Sequence, residues 1–223
     1  LNAPCSAPRH AALFDMDRTL LRVETATSYV RYQREIGEAN AVDLARVFWW
    51  VLLYTFNIID APRVAKRALA RTRGVPEVVL AARCDDWMRR DVLRYLCDAG
   101  RAAVRMHQQQ GDLVAIATGA TLPSALPLAR ELGIEHVVAT ELEVIQGVLT
   151  GEVLEPLAYG EGKLTKARAL LDRHGIDLRD TTFYSDSATD LPLLEAVGEP
   201  VAVNPDPKLS RLARRRGWRV ERW

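Results

Sequence analysis

Four short stretches of the 223-residue chain carry residue types suited to phosphate chemistry. Asp15-Met-Asp17-Arg-Thr19 follows the apolar run Ala11–Phe14, and Thr118-Gly119 follows Leu113–Ala117. Lys163 follows Gly160-Glu-Gly162, and Ser185-Asp186-Ser187-Ala-Thr-Asp190 follows Thr181–Tyr184. If the apolar runs are strands of one open sheet, ligands bind beyond their carboxyl ends, and the three stretches that follow these runs meet at one edge. Carboxylates crowded there repel, and each would favour its protonated form. A hard divalent cation relieves that repulsion; Mg²⁺ takes oxygen ligands, commonly one or two carboxylates plus a substrate phosphate. Lys163, at the start of an expected helix, can place its ammonium beside an anion already favoured by free backbone N–H groups. Gly160-Glu-Gly-Lys163 is not a nucleotide P-loop. The earlier glycine of that motif is Leu157 here, and Leu164 replaces the Ser or Thr after the lysine.

Taken singly, these residues have plainer readings. Asp15 could cap a helix, and Thr118 could cap the helix that begins near Leu122. Lys163 alone would be a surface lysine, and Asp190 serves as well in a supporting role as in a direct one. Only the series raises them together. His10, His107, His136 and His174 are scattered and form no triad or metal pair.

The elements that must position this set read as an α/β fold. Short apolar runs at Ala11–Phe14, Leu113–Ala117, Val137–Ala139, Thr181–Tyr184 and Val201–Val203 fit strands covered on both faces. Between them Leu122, Ala125, Leu126, Ala129 and Leu132 recur at helical spacing before Gly133, and Leu164, Ala167, Leu171 and His174 before Gly175. A Rossmann-like open parallel sheet flanked by helices is expected. A β-hairpin is expected over Leu142–Ile145 and Val148–Val153 with its turn at Gln146-Gly147. The stretch from about 22 to 102 is too long for a loop and carries helical patterns: Tyr29–Ile36, from Val42 onward, Pro62–Leu69, and a run after Pro76 with Leu80, Cys84, Trp87, Met88, Val92 and Tyr95 on one side. It is expected to be a helical cap inserted after the first strand. The core would be 1–22 with 103–223, and the cap 23–102.

Composition narrows the class. Thirty basic and 29 acidic residues leave a net charge of +1, and nothing in that total points to nucleic acid or an anionic membrane surface. Cys5, Cys84 and Cys97 show neither disulfide nor zinc spacing, and residues 1–10 hold no apolar run, so a cytoplasmic setting without a secretory signal is expected. The apolar stretch 47–59 is shorter than the roughly 20 residues of a membrane span. It is read as a buried helix or dimer contact in preference to a surface that touches lipid.

The order Asp-x-Asp-x-Thr, Thr, Lys, Asp-x-x-x-Asp resembles the haloacid dehalogenase superfamily of phosphohydrolases, and most the branch containing phosphoserine phosphatase, which carries a helical cap after its first motif. The stretch Tyr184–Leu194 through Val203-Asn-Pro-Asp206 resembles that branch too. The resemblance implies Asp15 as nucleophile, forming an aspartyl-phosphate, and Asp17 as general acid and then base. It implies Thr118 and neighbouring N–H groups, including that of Gly119, as phosphate donors, and Lys163 as the neutralising cation. Mg²⁺ would be held by Asp15, the Asp17 carbonyl and Asp186, with Asp190 supporting the metal or Lys163. Thr19 and Thr189 would lie on the substrate side. Glu24, nine residues after Asp15, matches a glutamate that faces the substrate's amino group in phosphoserine phosphatases, and Arg67 or Arg71 would either meet a carboxylate or form a solvated face. The sequence departs from the pattern at Arg18, where Gly or another small residue is usual, at Ser185 and Ser187 for Gly, and at Thr189 for Asn.

The expected function is therefore a Mg²⁺-dependent phosphomonoester hydrolase acting on a small metabolite such as phosphoserine or a related amino-alcohol phosphate. The alternatives are a lipid-head-group phosphatase whose cap docks on a membrane, and a non-catalytic phosphate-binding module. An oligomer is compatible with the sequence.

Overall fold

The computed structural model describes residues 8–39, 42 and 66–223. Its centre is a sheet with the order β4-β3-β2-β1-β5-β6-β7. The strands are β1 (Ala11–Phe14), β2 (Leu113–Thr121), β3 (His136–Ile145), β4 (Val148–Leu154), β5 (Thr181–Ser185), β6 (Glu199–Val203) and β7 (Arg219–Glu221). Only the β3–β4 pair is antiparallel. β1 lies in the middle, with Ala11 in register with Leu113 of β2 and Thr181 of β5. This registration brings the ends of β1, β2 and β5 to the same edge.

Alternation along the strands divides the core in two. Ala12, Phe14, Val114, Ile116 and Tyr184 face one side, where they pack with Val104 of α3 (Asp98–Gln110) and Leu128 of α4 (Leu122–Leu132). Ala11, Leu13, Ala115 and Phe183 face the other, against α5 (Glu161–Arg173), α6 (Leu191–Ala196) and α7 (Pro207–Arg216). Phe14 is fully buried and stacks on Tyr184, with ring centroids 4.6 Å apart. Burying such a ring contributes about 1.5–3 kcal/mol, and it seats the residue immediately before Asp15.

The insertion after β1 leaves and returns through paired backbone. Leu21 bridges Leu96, Arg22 N–H donates to Tyr95 O, and Cys97 N–H donates to Leu20 O. Within it α1 spans Thr25–Glu35 and α2 spans Glu77–Trp87; a π-helical turn, Met88–Val92, and a 3₁₀ turn, Leu93–Tyr95, follow α2. Leu80, Cys84, Trp87, Met88 and Val92 are buried as their spacing implies, but Tyr95 is exposed. The wider π turn and tighter 3₁₀ turn break the 3.6-residue repeat on which the expected face relied. α3 runs across position 102/103, where the sequence pattern divides cap from core. Residues 66–69 are helical, while the rest of the helix expected over 62–69, the helix expected from Val42 apart from that residue, and the apolar stretch 47–59 lie outside the described residues. Among the described residues no helix is long and apolar enough to cross a membrane.

The expected hairpin is present, with Gln146 and Gly147 both at positive φ. Its first strand is not separate from the expected strand at 137–139: β3 is one strand that pairs with β2 as far as Thr140 and with β4 from Glu141. The hairpin also meets the insertion. Gly74 N–H donates to Leu149 O, Leu149 N–H to Val75 O and Glu77 N–H to Gly147 O. β2 likewise runs past Ala117 to Thr121, with an irregularity in its pairing that contains Thr118 and Gly119.

Candidate active site

Asp15, Thr118, Lys163, Asp186 and Asp190 are all buried beyond the ends of β1, β2 and β5. Asp15 continues the ladder, its N–H donating to Tyr184 O at 2.9 Å. Lys163 Nζ lies 2.9 Å from Asp15 Oδ1 and 2.7 Å from Asp190 Oδ1. The other Asp190 oxygen accepts from the Ser185 hydroxyl at 2.8 Å. Burial alone would depress Lys163, but the carboxylates of Asp15 and Asp190 hold its ammonium above the ordinary lysine value. Burial pushes the Asp15 carboxyl up to about 7 against the pull of Lys163, with Asp190 adding to the rise.

The lysine is aimed by two glycines. Gly160 precedes α5 with φ 52° and ψ −122°, a conformation that side chains avoid. At Gly162 a Cβ would stand 1.9 Å from Leu157 O, so the loop can pass this close only over glycine. A second clamp joins this loop to the end of β2: the Thr140 hydroxyl donates to Gly119 O at 3.1 Å and accepts from Ala158 N–H at 3.2 Å. The Thr118 hydroxyl accepts from Ala120 N–H at 3.2 Å, and Gly119 is exposed at the edge.

Asp17 is half-buried at the start of α1. Its two oxygens accept from Thr25 N–H and the Thr25 hydroxyl, each at 3.0 Å. Burial, then the charges of Glu24 and Asp15, raise its carboxyl well above the usual range, an arrangement suited to holding a proton. Glu24 pairs with Arg18, Nε to Oε2 at 3.2 Å. Burial raises the Glu24 carboxyl, and Arg18 offsets part of the rise. Arg18 has φ 54°, a backbone conformation easier for glycine than for any side chain. An open cleft of about 390 Å³ beside Glu24 is bounded also by Arg31, Asp91, Arg94 and Tyr95. Arg67 and Arg71 are exposed.

Asp186 and its loop are fixed from behind. Asp206 N–H donates to Asp186 O at 2.8 Å, while the Asp206 carboxylate accepts from Ala188, Lys208 and Leu209 N–H. Thr189 sits half-buried on the same loop, its hydroxyl 3.0 Å from that of Ser187. Thr19 is buried, and its hydroxyl finds no partner among the described residues.

The oxygen donors suit a hard cation. The Asp186 carboxylate is buried, receives no hydrogen bond among the described residues, and is pushed up to about 9 by burial and then by Asp15 and Asp190. Such a carboxylate faces a deficit of positive charge that Lys163, already shared by two partners, does not fill. Among the described residues no three His, Cys, Asp or Glu side chains gather as a metal cluster. Two carboxylates and a backbone carbonyl are nonetheless an ordinary protein share for Mg²⁺.

Sequence reasoning had found the acidic residues and the lysine but not their holders. Thr25 and Thr140 carry no motif signal, and Ser185 and Asp206, though inside recognised stretches, were given no holding role; the contacts reveal these roles only once the chain is folded.

Comparison with known proteins gives the family. Residues 12–195 match the model of the haloacid dehalogenase-like hydrolases. A protein named phosphoserine phosphatase SerB1 from Mycobacterium tuberculosis is 31% identical, over 94% of this chain and 70% of its own. A histidinol-phosphatase from Neisseria meningitidis serogroup C is 30% identical, over 95% and 98%. A crystal structure of a protein of unknown function from Bordetella pertussis Tohama I superposes with a TM-score of 0.87 at 33% identity, covering 96% of this chain and 98% of that one. With both the family model and full-length relatives spanning the site, the chain belongs to the haloacid dehalogenase-like hydrolases.

Proposed function

We propose that the protein is a Mg²⁺-dependent phosphomonoester hydrolase acting through an aspartyl-phosphate on a small polar metabolite, phosphoserine or a related amino-alcohol phosphate. The observation that carries this reading is the buried Lys163 held between Asp15 and Asp190, with Asp17 gripped by Thr25 two residues beyond Asp15. Asp15 supplies the nucleophile. Its carboxylate oxygen bonds to phosphorus as the bond to the leaving alcohol breaks, and Asp17 gives that alcohol its proton. Water then attacks the phosphorus, Asp17 takes the water's proton, and the bond to Asp15 breaks to release phosphate. Lys163 offsets the charge shared by Asp15 and the phosphoryl oxygens, and Asp190 holds it in place. Thr118, with the N–H groups beside Gly119, orients the phosphoryl group. Thr189 lies on the substrate side, as does Thr19 in this reading. Asp15, Asp186 and the Asp17 carbonyl would hold Mg²⁺, which when bound neutralises phosphoryl charge.

The insertion serves as a cap over 23–102, closing the core of 1–22 and 103–223. The charged Arg18–Glu24 pair beside Asp17 favours a polar leaving group over a lipid. A non-catalytic phosphate-binding module would leave the Thr25-held Asp17 without a leaving group to protonate. A cytoplasmic location fits a soluble metabolite as substrate.

The test is phosphate release from a panel of phosphomonoesters with and without Mg²⁺, beside Asp15→Asn. Turnover that needs Mg²⁺ and disappears in the variant supports the reading. Undiminished turnover by Asp15→Asn overturns the covalent route, and lysolipid phosphates outrunning soluble esters would overturn the choice of substrate class.

A further inference from the structure

The Arg18–Glu24 pair is not used by the chemistry above, yet it brackets the residue that protonates the leaving group. Arg18 follows Asp17 directly. Glu24 precedes Thr25, whose N–H and hydroxyl hold both Asp17 oxygens at 3.0 Å. An alcohol that takes its proton from Asp17 therefore departs beside this pair. The pair engages Arg18 through Nε alone. Its terminal amino groups make no other hydrogen bond or ion pair among the described residues, and the side chain is 48% exposed. A half-exposed guanidinium held through Nε, its charge also felt by the Asp186 carboxylate, keeps terminal N–H donors for a planar or tetrahedral anion.

The backbone points the same way. Arg18 sits at φ 54°, where glycine would be unstrained. An outlier of this kind beside reacting groups is a reason to ask what the side chain does there. Glu24 orients that guanidinium through Oε2, which leaves its second oxygen for the substrate side.

We propose that Arg18, oriented by Glu24, is a specificity-determining residue that selects phosphomonoesters whose leaving alcohol carries a second anionic group, a carboxylate in particular. Among amino-alcohol phosphates this favours the carboxylate-bearing phosphoserine type over phosphoethanolamine or histidinol phosphate. The inference rests on the phosphatase reading and narrows it.

The experiment compares kcat/KM for phosphoserine and phosphoethanolamine, which differ in the carboxylate, in the wild-type protein and in Arg18→Gly and Glu24→Gln. Arg18→Gly suits the backbone, so a folding failure is not expected, and thermal melting checks this. The wild type should prefer phosphoserine by about 10-fold or more, chiefly through KM, as expected when one charged contact is present for one ester only. In Arg18→Gly the preference should fall to within about 2-fold, and Glu24→Gln should lie between, because a loosened guanidinium still carries its charge. A wild-type ratio near one, or equal-fold losses on both esters in Arg18→Gly, would overturn the assignment. Absence of any turnover by the wild type, on these esters and on para-nitrophenyl phosphate alike, would instead bring down the phosphatase reading itself.

Discussion

Lys163 and Asp190 form a buried ion pair 2.7 Å long, each less than a twentieth exposed, and the same ammonium reaches Asp15 at 2.9 Å. In the proposed mechanism the lysine is thus fixed by a partner that does no bond making, and offered to one that does. Substituting Asp190 with Asn keeps an acceptor for the Ser185 hydroxyl but removes the charge that holds Lys163. In Asp190→Asn, kcat should fall by about 10–100-fold with KM changed less, as for loss of an oriented charge felt mainly in the transition state. Steady-state kinetics on any turned-over ester checks this; an unchanged kcat would show that Asp15 alone positions the lysine.

Thr25 grips Asp17 from the first residue of α1, which makes a helix of the insertion responsible for the orientation of a core carboxyl. Thr25→Val keeps the backbone donor and the side-chain shape but deletes the hydroxyl bond. Loss of one such bond should lower kcat by about 3–10-fold. A melting temperature near that of the wild type would separate this effect from unfolding.

The site was legible where chemistry and sheet geometry coincide, and illegible where contacts cross between elements. Asp15, Thr118 and Asp186 stand next to apolar strand runs, so their shared edge could be read from the alternation of strand and helix. The hold of Thr25 on Asp17, the Thr140 clamp between Gly119 and Ala158, and the three N–H groups on Asp206 involve ordinary polar residues at loop or strand ends, with no period to betray them. β7 was missed for a related reason: Arg219–Glu221 has one apolar residue between two charged ones and joins the sheet only by pairing with β6. The merged β3 shows the limit of turn signals, because the strand changes partner at Thr140–Glu141 without a turn. Tyr95 shows the limit of helical periodicity once a π turn intervenes.

At Gly162 tight backbone packing meets the proposed site. A Cβ there would collide with Leu157 O, a backbone atom that cannot swing aside, and Lys163 is the next residue. Gly162→Ala should destabilise the fold by about 1–3 kcal/mol, the range for forced overpacking. Activity should fall further than this loss alone requires, because the shifted loop carries Lys163 away from Asp15. Urea unfolding and kinetics at a temperature where the variant remains folded would check both parts.

His136 and His174 lie edge to face, with ring centroids 4.8 Å apart at the start of β3 and the end of α5. Burial, and then the charge of His174, lower the proton affinity of His136 from its ordinary 6.5. The unfolded chain therefore binds a proton at His136 more readily than the folded one. The stability that depends on neutral His136 is complete above about pH 6.5 and is lost as the pH falls from there through the depressed folded value. Replacing His174 with Asn removes the second charge and should shrink that loss, while leaving the part due to burial. Urea midpoints at about pH 5 and about pH 8, for the wild type and His174→Asn, test the sign as well as the source. The wild type should lose more of its midpoint on acidification than the variant. An equal loss in both would assign the acid sensitivity to groups other than this pair.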